Sequence, residues 1–330
     1  MVAPKSMSAQ IYDYLPLVKE LGYTRLQRIE VLQTLWGGYG ELVRLNVDET
    51  SIIVKHIQLP KPESHPRGWN TDISHQRKLR SYQVELNWYQ HGAKQCRTTV
   101  PAPIKVTQRG EELLLVMEDL CQLGFCEVVT DPTQTHLSAC LQWLADFHAQ
   151  YIGVNGQGLW QQGTYWHLAT RPDELAALED QNLKAHAEKI DRVLDSAPFS
   201  TLIHGDAKLA NFCFTPDGYK AAAVDFQYIG RGCAMKDVAL FMSSAVEPEC
   251  CHEMEEWLLD TYFGHLKVAL EQHQPELSAK EVESAWRPLF SIAWADFQRF
   301  VKGWNPSHWK INAYTEALTQ RALHELKAYP

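Results

Sequence analysis

The sequence predicts an α+β protein with two lobes: a β-rich lobe over residues 1–119 and a larger, mostly helical lobe over residues 120–330. Three observations support this fold class. The chain has 330 residues, too many for one small core. Runs of β-branched residues separated by short turns fill its first third. Apolar residues at helical spacing dominate from about residue 136 onwards.

The composition is that of a folded globular protein, with 45% hydrophobic and 22% charged residues. Lys and Arg number 31 and Asp and Glu 40, which gives a net charge of −9. Such a surface repels nucleic-acid phosphates and anionic lipids, so we expect neither nucleic acid nor membrane as a partner. No apolar run approaches the roughly 20 residues of a membrane span. Residues 1–10 lack the apolar core of a signal peptide, so we expect a cytoplasmic protein.

The first lobe should be an antiparallel meander followed by a helix and a hairpin. The meander comprises residues 27–36, 41–47 and 51–57, with a glycine-rich turn at 37–40 and a polar turn at 48–50. A loop at 59–72 leads to a helix at 74–90. The hairpin strands are residues 100–107 and 111–117, and the second strand runs directly into Glu118 and Asp119.

Beyond residue 119 the pattern favours helices. Residues 136–151 place Leu137, Leu141, Leu144 and Phe147 on one helix face. Pro172 suits the first turn of a further helix, and a compact β-like stretch follows it. The remaining predicted elements are a helix at 172–194, the β-like stretch at 201–227, and helices at 251–273, 279–304 and 307–329.

One short segment has the residues for phosphoryl-group chemistry. Asp206 and Asn211 are five residues apart, Lys208 follows Asp206 by two, and Asp225 follows Asn211 by fourteen. A carboxylate at Asp206 can orient an attacking hydroxyl and accept its proton, while oxygens of Asn211 and Asp225 can bind Mg²⁺. Lys208 can offset charge on a transferred phosphoryl group. The segment therefore predicts a phosphate-and-metal site.

The pattern His-Gly-Asp-x-x-x-x-Asn at 204–211, followed by Val-Asp-Phe at 224–226, resembles the catalytic loop and metal-binding motif of protein-kinase-like phosphotransferases. It is most similar to the aminoglycoside and choline kinase branch. Within that branch, the segments 115–120 and 225–227 and the Trp-rich tail resemble the ecdysteroid-kinase-like group. The resemblance implies a bilobal protein-kinase-like fold, with a nucleotide-binding lobe at 1–119 and a catalytic, acceptor-binding lobe at 120–330. It also implies ATP and Mg²⁺ as cofactors.

The same resemblance assigns roles in the nucleotide-binding lobe. Lys55 would hold the α- and β-phosphates, and Glu85, mid-helix and thirty residues later, would orient Lys55. The remaining candidates are Gly38 and Gly40 in the phosphate-covering turn, Met117 at the back of the adenine pocket, and Glu118 and Leu120 as backbone contacts to adenine.

Several positions depart from the protein-kinase pattern. Val43 stands where the turn would have its third glycine, and Gln227 replaces the glycine of Asp-Phe-Gly. No Ala-Pro-Glu segment or activation loop is recognisable, which argues against a protein substrate. Asp237 resembles the family aspartate that braces the catalytic loop, and we expect His204 to pack beneath that loop.

These residues predict transfer of the γ-phosphoryl group of ATP to a hydroxyl of a small molecule, with an apolar, steroid-like body favoured. Choline-like amino alcohols and aminoglycosides remain alternatives, as does a non-catalytic nucleotide-binding regulator. An aromatic stripe could pack in the core, which we favour, or wall the acceptor pocket. Its residues are Trp286, Phe290, Trp294, Phe297, Val301 and Trp304. An acidic cluster at 247–256 favours a solvated helix end over a site for a polycation.

Overall fold

The computed structural model describes residues 13–58 and 72–330. The expectation for residues 1–10 and most of the predicted loop at 59–72 therefore lie outside the described residues. None of the described helices is both long and apolar enough to cross a membrane.

The N-terminal lobe contains a five-stranded antiparallel sheet in the order β1-β2-β3-β5-β4. The predicted meander and hairpin are confirmed, with the hairpin beginning at Pro103 rather than Val100. A six-residue helix with Pro16 in its first turn precedes the sheet and was not predicted. The elements are α1 (Leu15–Glu20), β1 (Leu26–Thr34), β2 (Gly40–Val47), β3 (Thr50–Gln58), α2 (Asp72–Asn87), β4 (Pro103–Arg109) and β5 (Glu112–Glu118).

The C-terminal lobe is mainly helical, and two short hairpin-like sheets carry the motif segment. Strands β6 and β9 pair with each other, as do β7 and β8. The elements are α3 (Gln134–Tyr151), α4 (Pro172–Ala177), α5 (Gln181–Asp195), β6 (Thr201–Ile203), β7 (Phe212–Phe214), β8 (Ala221–Ala223), β9 (Gly230–Gly232), α6 (Met235–Ala245), α7 (Cys251–His273), α8 (Ala279–Trp286), α9 (Leu289–Trp304) and α10 (Ala313–Glu325).

Two of the predicted long helices are each divided. The helix expected at 172–194 is α4 plus α5, because the side chain of Asp180 accepts a hydrogen bond from Leu183 N–H and starts a new helix there. The helix expected at 279–304 is α8 plus α9, and the break falls at Pro288, which has no N–H to continue the helix. Helix α10 begins later than predicted, at the cap formed by Asn312.

The largest apolar cluster includes buried residues from both lobes, such as Met117 of β5, Leu144 of α3 and Trp294 of α9. A second cluster lies on the other face of the sheet, where α1 packs against β2, β3 and β5. The protein thus has the predicted α+β class, with a β-rich lobe stacked on a helical lobe. This arrangement places the ends of β5 and β6 at the two sides of one cleft.

Candidate active site

A cavity of about 940 Å³ lies in the cleft between the two lobes. Most of the residues predicted from the sequence line it together, although they come from six different elements or loops. Those lining it are Lys55, Glu85, Met117, Glu118, Leu120, Asp206, Lys208, Asn211 and Asp225.

Lys55 connects the two lobes through a buried ionic network. Its Nζ lies 2.6 Å from Glu85 Oε2 on α2 and 3.4 Å from Asp225 Oδ1 in the loop after β8. Burial alone would lower the pKa of Lys55, but the charges of Asp225 and Glu85 outweigh burial and raise it. The lysine therefore stays charged.

Asp206 lies in the loop between β6 and β7, and its two carboxylate oxygens differ. Oδ2 accepts hydrogen bonds from Lys208 Nζ and from Asn211 Nδ2, both at 3.2 Å. Oδ1 is buried and accepts no hydrogen bond from any described residue. Burial raises the pKa of Asp206 against the opposing charge of Lys208. One oxygen is thus held in place and the other is left for a proton-donating partner.

Asp237, in the first turn of α6, fixes the loop that carries His204, Gly205 and Asp206. Asp237 Oδ2 accepts a hydrogen bond from His204 N at 2.7 Å, and Oδ1 accepts one from Gly205 N at 2.9 Å. His204 is buried, accepts a hydrogen bond from Asp206 N at its Nδ1, and therefore donates through Nε2 to Val224 O. The bracing role of Asp237 and the packing role of His204 are both observed.

Gly205, between His204 and Asp206, occupies a position that requires glycine. Its φ is +80°, in the left-handed region, and a Cβ atom there would lie 2.1 Å from Tyr228 O. Any other residue would push the loop that carries Asp206 away from the segment that carries Tyr228.

Asp225 and Asn211 present the hard oxygen donors that Mg²⁺ prefers. Burial would raise the pKa of Asp225, but the charges of Lys55 and Lys208 outweigh burial and lower it to about 2. Asn211 uses its side-chain nitrogen in bonds to Asp206, which leaves its amide oxygen as the donor. Asp225 has φ +66°, a strained conformation typical of functional positions. This donor set fits Mg²⁺.

The segment joining the lobes forms one wall of the cavity. Met117 ends the buried run of β5, and Glu118 and Leu120 follow at the cavity lining. Asp119 of the same segment accepts hydrogen bonds from Arg44 Nε at 2.6 Å and Ser51 Oγ at 2.7 Å. These bonds fix the segment against β2 and β3. The contacts of Met117, Glu118 and Leu120 with adenine stay a prediction.

The two glycines predicted in the glycine-rich turn lie outside the cavity lining. Gly38 and Gly40 are not among the residues lining the cavity, whereas Tyr39 between them is. Gly40 has φ +141°, and a Cβ there would lie 2.0 Å from His56 O in the neighbouring strand. Its requirement for glycine is therefore explained by the close approach of β2 and β3. That Gly38 and Gly40 cover phosphates stays a prediction.

Gln227, which replaces the glycine of Asp-Phe-Gly, ties the metal loop to α2. Its Nε2 donates to Asp225 Oδ1 at 2.8 Å, and its Oε1 accepts from Lys78 Nζ at 3.1 Å and from Ser81 Oγ at 3.2 Å. Burial and the charge of Lys55 lower the pKa of Lys78 to about 8. Sequence analysis missed Lys78, although it lies two helical turns before Glu85, a spacing that places both on one face.

The aromatic stripe divides between the two roles considered for it. Trp286 and Trp294 are fully buried in the core, as favoured. Phe297, Val301 and Trp304 line the cavity, and the first two are also buried in a smaller apolar cluster, so the second half of α9 forms its wall. Sequence analysis could not make this division, because the stripe has one periodicity while the cavity begins partway along the helix.

Further residues of the cleft were also missed. They include Arg77 of α2, Tyr165 and Arg171 before α4, Phe300 of α9, and His308 and Lys310 between α9 and α10. No motif marks them, since they come from four separate parts of the chain. By contrast, the acidic cluster at 247–256 does not line the cavity. Its Glu255 binds Tyr314 Oη and Arg321 on the surface of α10.

Comparisons with known proteins agree with this architecture. The sequence model of the ecdysteroid kinase-like family matches residues 160–274. No curated protein matches the chain. The structure of a microcompartment-associated aminopropanol kinase is similar, with a TM-score of 0.53 and 14% identity over 96% of this chain and 94% of that one. A structure from Ralstonia eutropha JMP134, described as an aminoglycoside phosphotransferase, gives a TM-score of 0.52 and 12% identity over 94% of each chain.

At these identities the structural likeness shows the fold alone. The resemblance stated from the sequence is confirmed, since the matched residues 160–274 include both Asp206 and Asp225. The chain therefore has the fold of the kinase-like small-molecule phosphotransferases, and over residues 160–274 it carries the sequence pattern of the ecdysteroid kinase-like family.

Proposed function

We propose that the protein transfers the γ-phosphoryl group of ATP to a hydroxyl of a small molecule that has an apolar body. The observation that carries this proposal is Asp206 Oδ1, a buried carboxylate oxygen without a hydrogen-bond donor among the described residues. Asp206 lines the same cavity as Lys55 and Asp225. A buried unsatisfied oxygen costs free energy unless a ligand donates to it, and an acceptor hydroxyl is such a donor.

In the proposed reaction, Asp206 orients the acceptor hydroxyl through Oδ1 and takes its proton. The acceptor oxygen forms a bond to the γ-phosphorus as the bond from that phosphorus to the β–γ bridging oxygen breaks, and ADP leaves. Lys208, 3.2 Å from Asp206 Oδ2, stabilises the negative charge on the transferred group. Most of the rate acceleration comes from alignment and electrostatics.

On the nucleotide side, Lys55 binds the α- and β-phosphates and Glu85 holds Lys55 in place. Asn211 and Asp225 would hold Mg²⁺, which offsets phosphate charge when bound. Met117, Glu118 and Leu120 would contact adenine, with Gly38 and Gly40 in the turn above the phosphates. The presence of the base and of both metal ligands argues against a non-catalytic regulator.

The aromatic wall on α9 supports an acceptor with an apolar body. Phe297 and Phe300 are buried side chains that reach the cavity, and Trp304 continues the wall to the cleft mouth. A flat ring system, such as a steroid, would bury apolar area against these faces.

The test is ADP release by the purified protein with Mg²⁺ and ATP against a panel of sterols, hydroxylated acids, amino alcohols, aminoglycosides and sugars. Asp206→Asn should lower kcat by about 10²- to 10⁴-fold. Because Asp206 does not contact Lys55, the variant should bind ATP with nearly wild-type affinity. Asp131→Asn, at an exposed bend, is the matched control and should keep wild-type turnover. Wild-type turnover in Asp206→Asn would refute the assigned base.

A further inference from the structure

We propose that the acceptor carries a negative charge near its reacting hydroxyl, and that Lys310 recognises this charge. The class of acceptor is then a hydroxylated carboxylic acid, or an equivalent anion, with a flat apolar body. This inference rests on the proposed function, because it defines the acceptor side of the same cleft.

Lys310 lies in the connection between α9 and α10, and its side chain reaches the cavity. Nζ donates to Ser243 Oγ at 3.1 Å and lies 5.1 Å from the Phe297 ring centroid and 5.5 Å from that of Trp309. It forms no ion pair with any described residue. Aromatic faces and one hydroxyl stabilise an ammonium group only partly, so the site favours an anion.

The charges that act on Lys310 place it on the acceptor side. Its ammonium interacts electrostatically with Asp206 and Lys208. Lys78, the other partly desolvated lysine of the cleft, interacts with Lys55, Asp225 and Glu85. Lys78 therefore belongs with the nucleotide phosphates. Lys310 belongs with the group that approaches the base.

The surroundings of Lys310 fit the apolar body of the same ligand. Trp304 stacks on Phe300 with an interplanar angle of 9° and a centroid distance of 6.0 Å, and 55% of Trp304 is exposed at the cleft mouth. Tyr165 meets Phe300 edge-on at 5.6 Å. A flat ligand against this wall would have its apolar surface covered and its hydroxyl and charge directed toward Asp206 and Lys310.

The charge of the whole cleft points the same way. The chain carries a net charge of −9, yet the cavity lining has seven lysines and arginines against six carboxylates. A polycation such as an aminoglycoside would meet Lys310 and Lys208 beside the base and be repelled. An acid would be attracted, because a charge-assisted hydrogen bond to an ammonium forms there.

The experiment measures binding by calorimetry for acid and ester pairs: 1-naphthylglycolate with its methyl ester, and mandelate with methyl mandelate. Wild-type protein should bind at least one acid about tenfold or more tightly than its ester, which corresponds to about 1.4 kcal/mol. Lys310→Met should remove this preference, and Lys310→Arg should keep it. Lys267→Met, at an exposed position of α7, is the matched control and should behave as wild type.

The inference is overturned if neither acid binds, if acid and ester bind equally to the wild type, or if Lys310→Met keeps the preference. Thermal unfolding of each variant checks its folding, and Lys310→Gln replaces Lys310→Met if the latter unfolds. Binding of ATP with Mg²⁺ is measured in parallel. If the wild-type protein prefers acids but does not bind ATP with Mg²⁺, the proposed function alone is refuted. If it turns over acids and esters equally, the inference alone is refuted.

Discussion

At the residue scale, Asp206 presents two chemically different oxygens. Lys208 and Asn211 occupy Oδ2, and Oδ1 remains without a donor among the described residues. This asymmetry matters because a general base needs a fixed orientation and also a free lone pair. The first property comes from residues close in sequence, since Lys208 and Asn211 follow Asp206 by two and five residues. The second property depends on burial by residues distant in sequence.

The pKa shifts of two residues predict the pH dependence of turnover on an acidic acceptor. Asp206 must be deprotonated, and burial raises its pKa, so kcat/KM should fall in acid at a pH above the ordinary aspartate value. Burial lowers the pKa of Lys310 to about 8, while Asp206 raises it and Lys208 lowers it. The lysine is charged below that pH, so acceptor affinity should be lost as pH rises above about 8.

Profiles of kcat/KM between about pH 5 and pH 10 check this prediction. Lys310→Arg should lose the alkaline decline, because arginine stays charged throughout this range. His308, which accepts a hydrogen bond from Lys310 N at its Nδ1, is a neighbouring group that could titrate. If the decline in kcat/KM near pH 8 persists in Lys310→Arg, a group other than Lys310 causes it.

Gly205→Ala should damage both stability and activity. The added Cβ would lie 2.1 Å from Tyr228 O, and the φ of +80° is unfavourable for alanine. We expect a loss of about 1–3 kcal/mol in the free energy of unfolding and a lower kcat, because Asp206 must shift with its neighbour. Gly264→Ala is the control: it lies within α7, a Cβ added there would meet no atom within 4 Å, and the change should be neutral or slightly stabilising. Equal effects of the two changes in denaturant unfolding would contradict the steric argument.

At the element scale, α9 combines a structural half and a site half. Trp294 is 1% exposed and Trp304 is 55% exposed, although they lie ten residues apart on one stripe. Trp294→Ala should cost about 3–5 kcal/mol in unfolding free energy because it leaves a large cavity in the core. Trp304→Ala should cost less than about 0.5 kcal/mol and should instead raise the KM of the acceptor. An unchanged KM in Trp304→Ala would remove this residue from the acceptor wall.

Elements with a clear periodicity were predictable and others were not. Residues 136–151 carry Leu137, Leu141, Leu144 and Phe147 at helical spacing, and the three meander strands are bounded by polar or glycine-rich turns. Helix α6 lacks such a signal, because nine of its eleven residues are buried, on every side of the helix. Pro288 could have indicated the break between α8 and α9, since proline disfavours a helical conformation in the residue before it.

The candidate site was predictable where its residues are close in sequence or fixed by the resemblance. Asp206, Asn211 and Asp225 fall within twenty residues of one another. Lys310 could not be found in this way, because it comes from an irregular connection whose path depends on the packing of α9 and α10. Gln227 was visible as a departure from the pattern, but its bond to Lys78 forms only when α2 is packed beside the loop.

At the scale of the whole molecule, the cleft joins two lobes through charges. Lys55 belongs to the sheet and Asp225 to the helical lobe, and their side chains are 3.4 Å apart. ATP with Mg²⁺ should stabilise the fold, because the complex would engage both lobes at once. At a ligand concentration of about 100 times Kd, the gain should be about 2.7 kcal/mol.

Thermal unfolding with and without ATP and Mg²⁺ measures this stabilisation. Asp225→Asn should greatly reduce the shift in Tm, because the metal ligand loses its charge, and omission of Mg²⁺ should do the same. Asp131→Asn should keep the full shift, since residue 131 is exposed and does not line the cleft. A Tm shift of wild-type size in Asp225→Asn would show that the nucleotide binds without this ligand.

The bonds of Gln227 also bear on how the activity can be controlled. Phe226 is fully buried, with its ring centroid 5.1 Å from that of Trp88 and 4.7 Å from that of His204. The next residue, Gln227, is bound to α2 through Lys78. Flipping this phenylalanine outward would break all of these contacts together. We therefore expect the protein to need no activating phosphorylation, and inhibitors that occupy the space behind an outward-flipped phenylalanine to find no room in it.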